Sequence, residues 1–266
     1  MANQIWITGD CHSNISRFSN EVFPEQKEMD KSDVVEILGD FGLVWEQEES
    51  KYEKYWLDWL NDKNFTTVAT LGNHENYDRI EKLPVQERFG APVYVLRDSI
   101  YLLQSGYIYE INGKKIWNFN GARSHDINDG IIDGSDPNWK KLAKAKEKAG
   151  KGMYRVKGLS WWEQEVEQNQ EVYDRGLKTL ESVDWKVDYI WTHCTASSVA
   201  SMLGFYENDR LSEYLNEIHD KAKFDYWFFG HYHEDKDLGK FSAMYNRILR
   251  IEGWAWVIFW KLLTRR

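Results

Sequence analysis

Ile37-Leu38-Gly39-Asp40-Phe41-Gly42 is an apolar run that ends in an acidic residue held between two glycines. The run reads as a buried strand, and the glycines let backbone and solvent approach the carboxylate at its tip. Four other stretches repeat this layout of strand-forming residues followed by polar ones: Gly9-Asp10-Cys11-His12, Gly72-Asn73-His74-Glu75, Trp191-Thr192-His193 and Gly230-His231-Tyr232-His233. Asp40 is therefore the residue to read outward from.

Upstream, residues 4–8 alternate apolar and polar as a strand does. Residues two apart in extended backbone point to the same side, so Asp10 and His12 converge while Cys11 faces away. Residues 14–23 read as a helix and residues 33–38 as the strand that delivers Asp40. Within residues 48–62, Tyr52, Tyr55, Trp56, Trp59 and Leu60 recur at helical spacing, which predicts an amphipathic helix with its aromatic stripe inward. Residues 65–71 give a third strand with Asn73 and His74 at its tip. Alternating strands and helices mark parallel βαβ units, whose ligands gather beyond the carboxyl ends of the strands.

Downstream, residues 93–119 read as short strands without helices, with Asn112-Gly113 as a hairpin turn before residues 115–119. This predicts an antiparallel region packed on the first. Ser160 with Glu163 has the spacing of a capping box for a long helix over residues 160–180. Residues 188–191 form a strand ending at His193, residues 209–221 an amphipathic helix, and residues 224–229 the strand leading to His231 and His233. Residues 244–251 and 254–260 read as closing strands.

No Pro/Ser/Gly-rich linker divides the 266 residues, so one domain over 1–266 is expected, and 42% hydrophobic and 15% aromatic residues supply its core. Two cysteines, Cys11 and Cys194, make no disulfide framework, and nothing like a signal peptide precedes the first strand. The expected compartment is the cytoplasm. No run is long enough to span a bilayer, so no membrane partner is expected. A net charge of -9 argues against a broad grip on nucleic acid. Residues 137–157 run the other way, with eight basic residues against Glu147 alone.

Two aspartates, an asparagine and several histidines at strand ends form an oxygen and nitrogen ligand set without thiolate. Such a set suits Mn²⁺, Fe or Zn²⁺ better than Mg²⁺ or Ca²⁺. With Asp40 shared, there are ligands for two ions, which together can grip a phosphate ester and lower the pKa of a bridging water. The reaction implied is in-line attack of hydroxide on phosphorus.

The ordered series from Gly9-Asp10-x-His12 to Gly230-His231-x-His233 resembles the calcineurin-like metallophosphoesterase superfamily. The resemblance implies an α/β (α+β-like) fold: two facing mixed β-sheets flanked by helices, a four-layer sandwich with a dimetal site at its upper edge. The basic stretch reads as a solvated helix or, in the sharper reading, as a lid-like inserted segment at about residues 124–160 that recruits an anionic substrate. One divalent ion would be held by Asp10, His12, Asp40 and His233, the other by Asp40, Asn73, His193 and His231, with Mn²⁺ favoured. His74 would protonate the leaving oxygen or stabilise phosphoryl charge. Leu43 and Val44 stand where the protein-phosphatase branch carries an Asp and an Arg, which disfavours a phosphoprotein phosphatase and leaves His74 without an evident orienting partner. Arg123 and His125 are the expected substrate contacts. The expected function is dinuclear metal-dependent hydrolysis of a small phosphorylated substrate, monoester or diester. A nuclease or cyclic-nucleotide phosphodiesterase is the alternative enzyme reading, and a binding module that keeps the fold without turnover is the alternative class.

Overall fold

In the computed structural model, which describes residues 3–251, strands β1 (Ile5–Thr8), β2 (Val34–Leu38) and β3 (Thr66–Thr70) lie side by side and parallel. Every residue of β2 and β3 is buried, as expected of parallel strands covered on both faces. After β4 (Val85–Arg88) and β5 (Ala91–Arg97), β6 (Ile100–Leu103) pairs parallel with β3. The hairpin of β7 (Tyr107–Ile111) and β8 (Lys114–Phe119) starts a second sheet. A separate parallel pair, β9 (Ile131–Asp133) and β10 (Arg155–Lys157), follows. The second sheet is completed by β11 (Tyr189–Thr192), β12 (Tyr226–Phe229), β13 (Lys236–Leu238) and β14 (Phe241–Ala243), and β15 (Leu249–Arg250) returns antiparallel to β1. The seven-stranded sheet runs β15-β1-β2-β3-β6-β5-β4 and the six-stranded sheet β13-β14-β12-β11-β8-β7.

Six α-helices accompany the sheets among the described residues: α1 (Lys51–Asn61), α2 (Tyr77–Ile80), α3 (Trp139–Lys148), α4 (Gln170–Glu181), α5 (Ser197–Leu203) and α6 (Arg210–Lys221). Alternation along each strand assigns the layers. Val34 and Leu38 of β2 meet Tyr109, Ile116, Trp191 and Phe228 of the other sheet, so these residues form the core between the sheets. Val35 and Ile37 turn outward onto Leu57 and Leu60 of α1. Trp117, Ile190 and Trp227 turn outward under Leu180 of α4 and Leu211, Leu215 and Ile218 of α6. The result is the expected four-layer order of helix, sheet, sheet and helix. No helix of the described residues is long and apolar enough to cross a membrane.

Local expectations failed where side chains were committed elsewhere. Residues 14–23 do not form an α-helix; the chain makes 3₁₀ turns at Ile15–Phe18 and Pro24–Glu28. The Asn14 side chain accepts from Ser16 N and the Ser16 hydroxyl, a local alternative to the helical ladder. On α1 the aromatic stripe faces inward only in part: Trp56 and Trp59 pack half-buried against the core, while Tyr52 and Tyr55 are 55% and 62% exposed. The buried arc is Glu53, Leu57 and Leu60, because Glu53 receives Arg79 and the amides of Trp45 and Glu46. The long helix over 160–180 is absent before Gln170. The Ser160 hydroxyl accepts from Val156 N, closing a turn instead of capping a helix, and Trp162 is drawn into the core beside Trp45. Of residues 244–251 only Leu249–Arg250 is strand, and residues 254–260 lie outside the described residues.

A carboxylate sits between the sheets. Glu36 is fully buried in β2, its Oε1 accepting from Thr70 N (3.0 Å) and lying 2.6 Å from the Thr70 hydroxyl, which is also 2.7 Å from Asn118 Oδ1. One hydroxyl proton faces two acceptors, so a proton on Glu36 completes the chain. Burial pushes the Glu36 pKa well above its ordinary value. The folded state therefore binds this proton more tightly than the unfolded chain, and its stabilising contribution, full below about pH 4.5, is lost as pH rises toward the folded pKa. Urea titrations from pH 5 to pH 7 should show Glu36→Gln gaining on the native protein as pH rises, by at most roughly 1.4 kcal/mol per pH unit. A difference that stays flat with pH would mean that Glu36 is ionised in the fold.

Candidate metal centre

The five polar motifs sit at the C-terminal ends of β1, β2, β3, β11 and β12, and backbone bonds draw their loops together. Cys11 N and His12 N donate to Asp40 O at 3.0 and 2.7 Å, Gly230 N donates to His193 O at 2.9 Å, and His231 N donates to Asp10 Oδ1 at 2.9 Å. Arg17 braces the first loop from below, donating to Thr8 Oγ1 and to the Asp10 carbonyl. Two glycines are required for this closeness. A Cβ on Gly72 would lie 2.2 Å from Asp40 Oδ1, and one on Gly230 would lie 2.2 Å from Asp10 Oδ1. His12, Asp40, His231 and His233 all have positive φ (44°, 44°, 68° and 52°), a region that non-glycine residues enter at a cost. Such strained residues cluster at functional sites, and here four of the expected ligands share the feature.

Asp10, His12, Asp40 and His233 each place a ligand atom within 4.8 Å of the others. His12 Nε2 lies 2.9 Å from His233 Nε2, 3.6 Å from Asp40 Oδ2 and 3.9 Å from Asp10 Oδ2, and His233 Nε2 lies 3.2 Å from Asp10 Oδ2. The other Asp40 oxygen serves a second group: His193 Nε2 is 3.2 Å from Asp40 Oδ1 and 3.2 Å from Asn73 Oδ1. His193 Nδ1 donates to Leu38 O at 2.8 Å, and a carbonyl only accepts, so the coordinating nitrogen facing Asp40 is Nε2. His231 is packed against His193 with ring centres 5.0 Å apart. All seven expected ligands thus share one edge of the sandwich, and their oxygen and nitrogen donors fit divalent cations.

Electrostatics follow from burial. Burial alone would push the Asp40 carboxyl up, but the His193 ring against it, aided by His74 and His12, holds it well below the usual carboxylate range. Burial alone would likewise neutralise His193, yet the Asp40 carboxylate pushes its pKa up to about 10. A cation seated on these two atoms must displace a proton, as metal binding to such ligands does. His231 is driven well below its ordinary pKa by burial and by His193, which leaves a neutral ring with a free lone pair.

His74 lies 3.9 Å from Asp40 Oδ2, and its backbone N donates to Asp40 Oδ1 at 2.9 Å. The indole of Trp45 stacks on its ring at 5.5 Å and 24°, and the His12 ring meets it edge-on at 4.8 Å. The orienting contact absent from the sequence reading is thus an aromatic face, while Leu43 and Val44 are wholly buried in the core. Glu75, quoted in the motif but given no role, accepts from Phe41 N, Gly42 N and Gly72 N and so ties the Asp40 loop to the His74 loop. Three backbone donors within reach of one Glu side chain are a tertiary fact that spacing does not reveal. His125 is brought against His231, ring centres 4.4 Å apart, whereas Arg123 is exposed and lines the pocket beside it.

A two-sheet sandwich that gathers aspartate, asparagine and histidine at one edge is the layout of a metal-dependent centre. The family model for calcineurin-like phosphoesterases matches residues 4–235, and the chain belongs to that family. A comparison with curated proteins gave no significant match.

Proposed function

We propose that the protein is a dinuclear metal-dependent phosphoric ester hydrolase acting on a small phosphorylated substrate. The observation that carries this reading is the position of Asp40, with Oδ2 3.6 Å from His12 Nε2 and Oδ1 3.2 Å from His193 Nε2, so that one carboxylate serves both ligand groups. Bound divalent cations would supply Lewis acidity toward the phosphoryl oxygens and an activated water. Asp10, His12, Asp40 and His233 would hold one, and Asp40, Asn73 and His193, with His231 beside them, the other.

The protein's own groups supply orientation and proton control. His74, fixed by Trp45 and partly shielded from water, is placed to donate a hydrogen bond or proton to the leaving oxygen. Burial, partly offset by Asp40, lowers its pKa, which favours the neutral ring. A pocket lined by His12, Ser13, Gly42, Trp45, Glu46, Tyr52 and His74, among others, opens beside it. This lining contains no Lys or Arg, so it suits a neutral or aromatic leaving group better than an anionic one.

A screen of phosphomonoesters, diesters, dinucleotides and nucleic acid with added Mn²⁺, Fe²⁺ or Zn²⁺ tests the reading. Hydrolysis that requires added metal and is best with Mn²⁺ is expected. Turnover unaffected by chelation, or none with any metal, would overturn it, and turnover confined to nucleic acid would favour the nuclease reading. The net charge of -9 supports the small-substrate expectation.

A further inference from the structure

Arg155 opens β10, the return strand of the inserted segment, where it pairs with Ile131 of β9. The insertion is fastened on two sides of the metal centre. On one side the Gln47 side chain donates to Gly158 O at 2.9 Å, and Trp162 meets Trp45, the indole stacked on His74, edge-on at 5.4 Å. On the other side Arg155 Nη2 donates to Asp126, the neighbour of His125, whose ring packs on His231 with centres 4.4 Å apart.

The guanidinium is held at the centre rather than out in solvent, since the Arg155 side chain is only 20% exposed. Its charge is felt by groups around Asp40. Burial, opposed by Asp40, lowers the His74 pKa, and Arg155 adds to that lowering. Burial pushes the Glu165 carboxyl up to about 9, and there Asp40 adds to the rise while Arg155 opposes it. A guanidinium has five N–H donors. Among the described residues the bond to Asp126 is the one side-chain bond that Arg155 makes, so a carboxylate fixes one corner of the fork and the rest is left to donate. Arg17, by contrast, has its donors committed to Thr8, Gly9, Asp10 and Tyr245. Arg123 lines the neighbouring pocket with Glu207, whose Oε1 lies 3.8 Å from His125 Nε2 and 3.6 Å from His231 Nε2. Arg155 does not line the pocket placed for the leaving group, so its charge falls to the phosphoryl group itself.

We propose that Arg155 holds a non-bridging oxygen of the substrate's phosphoryl group and so selects a phosphomonoester over a diester, a role that presupposes the hydrolase reading. A phosphomonoester carries three non-bridging oxygens and a diester two. Two of them suffice for a pair of divalent cations, which leaves one for a guanidinium only in the monoester.

p-Nitrophenyl phosphate and bis(p-nitrophenyl) phosphate share a leaving group, so the ratio of their kcat/KM values on the full chain loaded with Mn²⁺ isolates the phosphoryl contact. The native protein should prefer the monoester, and Arg155→Ala should lose about 10–100-fold on the monoester and much less on the diester. Inorganic phosphate, titrated calorimetrically without turnover, should bind Arg155→Ala more weakly by a similar factor. Arg155→Lys keeps the charge but not the fork, and should lose part of the preference even if the alanine variant does not fold. Asp126→Ala breaks the same ion pair yet keeps the guanidinium, so it should retain both the preference and the phosphate binding. A native preference for the diester, equal losses on the two esters, an unchanged preference in the folded variants at position 155, or the same loss in Asp126→Ala would overturn the proposal and leave the hydrolase reading standing. No turnover of either ester by the native protein with any added metal would overturn both.

Discussion

Asparagine at position 40 should cost the protein at least one equivalent of metal and lower phosphoester hydrolysis on the order of 10³-fold or more, because the charge and one of the two donor oxygens disappear together. The orientation of the new amide follows from its surroundings. His74 N donates to Asp40 Oδ1, so the amide oxygen takes that position and the NH₂ group takes the position of Oδ2. There it faces His12 Nε2, 3.6 Å away, with hydrogens where a cation would need a lone pair. The ion expected among Asp10, His12 and His233 is the one lost. His193, whose pKa the Asp40 carboxylate pushes up, would titrate lower in the variant. Elemental analysis beside steady-state kinetics checks both halves. A variant that keeps its metal and hydrolyses within tenfold of the native rate would show that Asp40 is not shared.

Alanine at position 74 should leave the metal content intact and lower kcat by about 10²–10⁴-fold for esters with poorly acidic leaving groups. The His74 ring comes no nearer than 3.9 Å to the Asp40 carboxylate, and the backbone bond from His74 N to Asp40 Oδ1 is kept by alanine, so the ligand groups survive removal of the ring. What goes is the donor held in place by the Trp45 face. A p-nitrophenyl ester, whose leaving oxygen needs little protonation, should lose much less than an alkyl ester. An equal loss on both substrates would assign His74 to the phosphoryl oxygens rather than to the departing one, and loss of metal would make it a ligand.

How much of this was legible beforehand depends on how local the cause is. β1, β2, β3, β11 and β12 were readable because each is a short apolar run ending in glycine or a polar residue, and the motif residues were readable because they follow those runs directly. The helix over residues 14–23 and the early start of the helix after Ser160 were misread because Asn14 and Ser160 use their side chains in local turns. Of the inward face read for α1, Tyr52 and Tyr55 were misread because Glu53, a charged residue, is buried there by Arg79 from α2. Glu75 and Trp45 gained roles only through amides and a ring supplied by other loops. Glu207 carries no motif at all, and only its burial between His125 and His231 marks it.

By itself the sequence determined where the strands of the parallel core lie along the chain, the residue types at their tips and hence the family, since strand periodicity and the residues that follow each strand are properties of adjacent positions. Tertiary structure alone decided which oxygen of Asp40 faces which histidine, which indole holds His74 and which carboxylate comes to lie beside His231. Those relations join positions more than twenty residues apart or fix side-chain direction at strained backbone. They arise when two sheets pack face to face and bring their loops to one edge, a distance that no local pattern encodes.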